Sequence, residues 1–286
     1  MTGAKKWEIR VLAPGEEERA RRVLDKDPYR NIWMLACLER YGLFNLGLPE
    51  QGSFYGYFQH EELKSLLYCN NLGFWRFHAS DASELISLLD SSLGDGLAPL
   101  SLTGDPRVLE ESLEGWGQKP PIEIMEREVI MVLRSGDFSP SPEREARLAR
   151  LEDLADMVEL ERGLQLHLLG RSAERSFLRR HFRQLIGEGK AAVYPLGEKV
   201  VSKAEMEVEV GALVQVSGVY TLPEHRCWGY ASASCSFLCR RALKEGKEVC
   251  LETQRDNREA LHLYRKLGFN KYADSLIVRF KADDLR

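Results

Sequence analysis

The order of elements that closes the first half of this chain recurs about 150 residues later, at the end of the second half. Leu100-Ser-Leu-Thr103 reads as a short apolar strand, Asp105-Pro-Arg107 as a helix start, the run to Trp116-Gly117 as the helix, and 122–133 as a β-patterned strand. In the second half, 249–253 is the apolar strand, Asp256-Asn-Arg258 the helix start, Leu267-Gly268 the helix end, and 275–280 the closing strand. The openings correspond too: strand 7–12, a Pro14-Gly-Glu-Glu17 turn and helix 18–24 in one half, strand 146–150 and helix 152–160 in the other. Such a duplication predicts two domains of the α/β (α+β mixed sheet) class.

A length of 286 residues is more than one ordinary core needs. The break in pattern at Phe138-Ser-Pro-Ser-Pro-Glu143 divides it into a first domain over 1–138, a linker over 139–143 and a second domain over 144–286. With 44% hydrophobic and 29% charged residues the chain is an ordinary folded one. Lys+Arg at 40 against Asp+Glu at 44 leave a net charge of -4, so nothing global draws it to nucleic acid or to a membrane, and any anion site has to be local. No apolar leader opens it, and stretches such as 32–38 fall well short of the ~20 residues a membrane span needs, so the cytoplasm is the expected location. The six cysteines show no CxxC spacing, which argues against disulfides and structural zinc. Cys235 and Cys239 lie four apart but lack a His or carboxylate at ligand spacing, so no metal is expected. The six histidines are scattered and read as surface or packing positions.

The informative stretch is 198–280. Ala204, Met206, Val208 and Val210 alternate with Lys203, Glu205, Glu207 and Glu209, which predicts a strand over 198–210; Gly211 turns it into a second strand over 213–221. Pro223 stops that strand, and Arg226-Cys-Trp-Gly229-Tyr-Ala231 leads straight into a helix over 232–244. The start of a helix carries backbone N–H groups without intrahelical partners and a partial positive charge. Here Gly229 would let a pyrophosphate approach the backbone, Ala231 would keep the first turn uncrowded, and Arg226 would add a cation. Further on, Asn257 marks a helix cap, and Ala260, Tyr264 and Leu267 recur at helical spacing.

Val219 through Ala231, followed by Asn257, Ala260 and Leu263-Tyr-Arg-Lys-Leu-Gly-Phe269, resembles the GNAT superfamily of acyl-CoA-dependent N-acetyltransferases. The resemblance covers about the C-terminal half, from Arg144 onward; the N-terminal half is similar, more weakly, to the degenerate halves of tandem GNAT proteins. It implies two GNAT-like domains, each a twisted mixed β-sheet flanked by helices, and acetyl-CoA as co-substrate, with Val219, Tyr220 and Thr221 on a strand that splays from its neighbour and pairs with the pantetheine arm. Arg226, Cys227, Trp228, Gly229, Tyr230, Ala231 and Ser232 would hold the pyrophosphate, Asn257 would contact the pantetheine arm near Ala260, and Tyr264 would protonate the departing thiolate. Where family members often carry a glutamate ahead of the turn, this chain has Gln215 and Ser217. Glu205 or Glu207 could act as the base through a water; a solvated acidic strand face accounts for the same pattern.

In the first half no RxxGxA turn is present, and the aligned helix places Leu113 opposite Tyr264. That half is expected to bind no CoA and to pack against the second, with Trp33, Phe74, Trp75 or His78 walling the amine pocket. The arginines over 171–183, interspersed with Phe177, Leu178 and Phe182, read as an amphipathic helix face, and in the superfamily this region lies over the acceptor site. The expected reaction is direct acetyl transfer to a primary amine; a non-catalytic acyl-CoA-binding sensor or regulatory module is the alternative. Monomer and homodimer both fit the sequence.

Overall fold

The computed structural model describes residues 7–49 and 51–281. The first half runs β1 (Trp7–Val11), α1 (Glu17–Leu24), α2 (Ile32–Tyr41), β2 (Gly52–Gln59), β3 (Glu62–Asn70), β4 (Phe74–His78), α3 (Ala82–Gly94), β5 (Ser101–Gly104), α4 (Pro106–Gly115) and β6 (Ile122–Leu133). The second repeats that order: β7 (Arg147–Leu148), α5 (Leu154–Leu169), α6 (Arg175–Gly187), β8 (Ala191–Leu196), β9 (Lys199–Val210), β10 (Leu213–Thr221), α7 (Tyr230–Lys244), β11 (Glu248–Gln254), α8 (Arg258–Leu267) and β12 (Asn270–Phe280). Among the described residues no helix is long and apolar enough to cross a membrane.

Two compact units result, one formed by the described chain up to Ile130 together with the segment from Ala273, the other by Met131–Tyr272. In the first, the sheet order is β1-β2-β3-β4-β5-β12, so the last strand of the chain completes the sheet begun by the first half. Leu276, Ile277, Val278 and Arg279 face Gly104, Thr103, Leu102 and Ser101 in antiparallel register. In the second, the order is β7-β8-β9-β10-β11, followed by the end of β6 (Met131–Leu133). The first unit thus takes most of the second half's final strand, and the second takes the last residues of β6. A split at 139–143 keeps each closing strand with its own half; the observed division differs because β12 carries Leu276, Val278 and Phe280 into the first unit's core, beside Trp75, Phe77 and Trp116. Burying three such side chains is worth about 1.5–3 kcal/mol each. The Pro/Ser stretch itself is tied to the second unit, where Ser139 N–H donates to Leu267 O at 3.0 Å and Glu143 accepts from Arg240 Nε at 2.7 Å.

The second unit has a layer on each face of its sheet. Met157 and Leu160 of α5 and Leu178, Phe182 and Leu185 of α6 pack on Ala191, Val193, Val200 and Tyr220. On the opposite face Ala233 of α7 packs with Tyr194 and Val201. Gly211 (φ +54) and Ala212 form the two-residue turn between β9 and β10. Two irregularities interrupt that hairpin. Glu207 has no counterpart between the pairs Gln215↔Val208 and Val216↔Met206, and Gly218 and Val219 are skipped between Ser217↔Glu205 and Tyr220↔Lys203. Bulges of this kind re-aim side chains and end regular pairing.

Candidate active site

β10 and β11 are parallel neighbours only over Leu213–Gln215 and Glu248–Cys250, although β10 continues to Thr221 and β11 to Gln254. Beyond Gln215 the two strands part, and the Gly218 bulge lies in the parted segment. Tyr220 and Thr221 anchor it from the β9 side: the Tyr220 ring packs against α5 at Gly163, and Thr221 Oγ1 donates to Ser202 Oγ at 2.8 Å. Backbone groups of Val219–Thr221 on the β11 side are left without a ladder partner in β11, an open edge onto which an extended ligand can pair.

The chain then makes a single turn of 3-10 helix over Pro223–His225 and enters α7 through Cys227 (φ +65) and Gly229 (φ +84). The helix expected from Ser232 begins at Tyr230, because Gly229, in the left-handed region, serves as its N-cap. No side chain caps it, and the first helical bond is Ala233 N–H to Gly229 O at 2.9 Å, so the N–H groups of Tyr230, Ala231 and Ser232 have no intrahelical acceptor. A Cβ at Gly229 would meet nothing within 4 Å, so the approach is open. Arg226 is held at the entry by its Nε bond to Thr221 O (3.3 Å) and by the Tyr220 ring beneath its guanidinium (5.6 Å). Tyr230 stacks on Tyr194 at 4.4 Å, Trp228 is 72% exposed, and Cys227 is exposed.

On α8, Asn257 caps the helix by accepting from Ala260 N–H at 3.0 Å. Seven residues on, Tyr264 is buried with its ring 5.7 Å from Phe269. Burial raises its phenol pKa far above the ordinary value, and Cys235 and Cys239 on α7 add to the effect. A phenol so placed keeps its proton at neutral pH.

The polar face of β9 is not the solvated strip that its alternation allows. Lys203 and Glu205 are buried beneath α5 and α6, and Lys203 Nζ donates to Glu161 Oε2 (2.7 Å), to Gly218 O (2.9 Å) and to Glu205 Oε1. Its ammonium also lies 5.2 Å from the Phe182 ring centroid. Burial alone would raise Glu205, but Lys203 and a bond from His181 hold it below the ordinary carboxylate value. Glu207, set off by its bulge, is solvent-accessible yet ringed by protein; that crowding and the Glu205 charge raise its pKa, against a hydrogen bond from Ser217. The two carboxylates that the sequence could not separate therefore differ in kind.

Gly218 (φ +58) is the only residue type that fits this corner, because a Cβ would lie 2.7 Å from Glu205 Cδ and 2.9 Å from Lys203 Nζ. Gly218→Ala should cost about 1–3 kcal/mol of stability in urea unfolding, from backbone strain and the displaced ion pair. An unchanged midpoint would mean that the bulge relaxes freely.

Among its described residues the first unit lacks these features. Asp81 caps α3 by accepting from Ser83 and Glu84 N–H groups at 2.9 and 3.1 Å, placing a carboxylate where α7 leaves its N–H groups bare. Phe77 lies against Gly104, with a Cβ there only 2.8 Å from ring atom Cδ1. Counting from the N-caps Asp105 and Asn257, the partner of Tyr264 is Ser112, not Leu113; the caps set the phase that a sequence offset missed by one. Trp75 is buried in the first unit's own core, which corrects its expected place in a pocket wall. Trp33 lies beneath Arg76, His78 Nδ1 meets Asn31 Nδ2 at 2.9 Å, and Phe74 is exposed.

Sequence reasoning missed His181, whose Nε2 lies 3.4 Å from Glu205 Oε2. The signal was its place on the edge of the Leu178, Phe182, Leu185 stripe.

The sequence family described as FR47-like protein matches residues 202–278, from inside β9 to inside β12. No curated protein matches the sequence. Among solved structures, a GCN5-related N-acetyltransferase from Sphaerobacter thermophilus is similar at 13% identity with a TM-score of 0.65, over 96% of this chain and 96% of that one. An acetyltransferase of the GNAT family from Colwellia psychrerythraea is similar at 13% identity and a TM-score of 0.60, over 96% of this chain and 100% of that one. A tandem GNAT protein from the clavulanic acid biosynthesis pathway is similar at 12% identity and a TM-score of 0.54, over 95% and 97%. At these identities the likeness is one of fold.

Proposed function

We propose that this chain, whose fold is that of the GNAT acetyltransferases, transfers the acetyl group of acetyl-CoA to a primary amine, with acetyl-CoA bound in the second unit alone. The observation that carries the reading is the parting of β10 from β11 immediately before the uncapped start of α7. One end of that path offers unpaired strand backbone for the pantetheine arm, the other three free N–H groups and Arg226 for the pyrophosphate. The first unit's acidic cap at Asp81 and the Phe77 ring against Gly104 oppose the same ligand there.

In this reading Val219, Tyr220 and Thr221 hold the arm by their backbone, and an N–H near Val219 receives the charge that develops on the thioester oxygen. Asn257, engaged in its cap, fixes the start of α8 and so the height of Tyr264. The neutral amine attacks the thioester carbon, the carbon–nitrogen bond forms as the carbon–sulfur bond breaks, and the Tyr264 phenol gives its proton to sulfur. Placing both reactants in one cleft turns a bimolecular step into an intramolecular one, which is where most of the acceleration arises.

Release of free CoA thiol, followed while acetyl-CoA is incubated with a panel of polyamines, amino acids and lysine peptides, tests the activity. Thiol release that requires one of these amines is expected. Saturable acetyl-CoA binding with no thiol release from any of them would contradict transfer and point to the sensor reading.

A further inference from the structure

The buried polar groups under α5 and α6 form a line with one open end. Lys203 gives all three ammonium hydrogens to oxygens, those of Glu161, Glu205 and Gly218, and has no donor to spare. Glu205 has one oxygen taken by that cation and turns the other, Oε2, to His181 Nε2. The imidazole stands on α6 with its side chain 35% exposed, its ring centroid 5.2 Å from that of Phe182. Among the described residues its other nitrogen, Nδ1, has no hydrogen-bond partner. A buried carboxylate at one ring nitrogen sets the tautomer, with Nε2–H donating, and leaves the lone pair on the other nitrogen free.

The location matters as much as the pairing. Glu205 lies directly against Gly218, so the imidazole is one side chain removed from the bulge where β10 leaves β11. It reaches that point from the α5/α6 face of the sheet, whereas Tyr264 packs beside Cys235 and Cys239 on α7, which covers the opposite face. Proton acceptor and proton donor stand on opposite sides of the parted strands, as an amine entering from one side and a thiolate leaving from the other require.

We infer that His181 is the general base that takes a proton from the acceptor amine, with Glu205 as its positioning residue and Lys203 as the cation that balances Glu205. The inference rests on the acetyl-transfer reading above. Of the two protons that an ammonium nitrogen loses on becoming an amide, one passes to His181 Nδ1 and on to solvent. The other restores the proton that Tyr264 hands to sulfur. Facing His181 are Glu205 and Glu207 from β9 and Glu161 from α5; the Glu205 hydrogen bond raises its pKa above the ordinary 6.5 against burial, and the charges of all three add to the rise. The kcat/KM for the amine should therefore rise with pH through a midpoint above 6.5, as the imidazole loses its proton.

The test uses the full chain, acetyl-CoA and whichever amine of the panel gives the fastest thiol release. His181→Gln should lower kcat/KM at pH 7 by about 100-fold or more and abolish the acidic limb of the profile, while acetyl-CoA affinity by calorimetry stays the same. Glu205→Gln should move that limb to lower pH and lower the His181 imidazole midpoint seen by NMR, a readout that a merely structural role would not move. A His181→Gln protein with normal rate and limb overturns the inference and leaves the transfer reading intact, and loss of the limb in Glu207→Gln instead would move the base to Glu207. An NMR midpoint unchanged in Glu205→Gln overturns it even without turnover. A wild-type protein that binds acetyl-CoA and acetylates no amine overturns both.

Discussion

Tyr264→Phe should lower the rate of acetyl transfer by about 100-fold or more and leave acetyl-CoA affinity nearly unchanged. The ring is buried on α8 against Phe269, so phenylalanine fills the same space and the fold loses one hydroxyl, worth about 1 kcal/mol at most. In the proposed reaction what disappears is the proton for the leaving thiolate. Because burial, with Cys235 and Cys239 beside it, raises the phenol pKa above its ordinary 10, Tyr264 stays protonated across the working range and contributes no alkaline fall in activity below that value. Single-turnover thiol release reads the chemical step directly, so slow product release cannot hide the effect. Full single-turnover rate in Tyr264→Phe would remove this residue from the reaction.

Lys203→Met should destabilise the second unit by about 3–5 kcal/mol, the cost of leaving buried carboxylates without their cation. The lysine is fully buried and holds Glu161, Glu205 and the Gly218 carbonyl together, so its loss loosens the bulge as well as the charge balance. The effect should depend on pH in a definite direction. In the wild type Glu205 is held below its ordinary 4.5, so its contribution is present above that value and fades as pH falls through the lowered pKa. In the variant, burial without Lys203 raises Glu205, and protonation relieves it. The deficit should be largest near pH 7 and shrink below about pH 4.5. Adding Glu161→Gln and Glu205→Gln to Lys203→Met should restore much of the loss in urea unfolding. A deficit independent of pH would mean that packing, and not charge, is what the lysine supplies.

The local elements were legible because each carried its own punctuation. Gly211, Pro223 and Gly268 bounded β10 and α8, and Leu213–Thr221 and Arg258–Leu267 fall where alternation and capping placed them. The parting of β10 and β11 came from the resemblance and not from any residue pattern. What no local signal carried was the choice between equivalent long-range partners. β6 and β12 are both long closing strands after matching helices, and nothing within either says which half it completes. The same holds for the acidic strand: alternation put Lys203, Glu205 and Glu207 on one face, but only the packing of α5 and α6 decides that the first two are buried and that a bulge leaves the third accessible. His181 escaped for a related reason, since its partner lies 24 positions away on another element.

Calorimetric titration of acetyl-CoA into the wild-type chain and into Ala231→Glu tests the proposed CoA site most directly. A glutamate in the first turn of α7 puts a carboxylate among the bare N–H groups, where it favours the helix by about 0.3–1 kcal/mol while repelling a pyrophosphate, so lost binding could not be ascribed to unfolding. One saturable site per chain in the wild type, absent from an equally stable Ala231→Glu protein, is the predicted result. No binding to the wild type, two sites per chain, or unchanged affinity in the variant would contradict it.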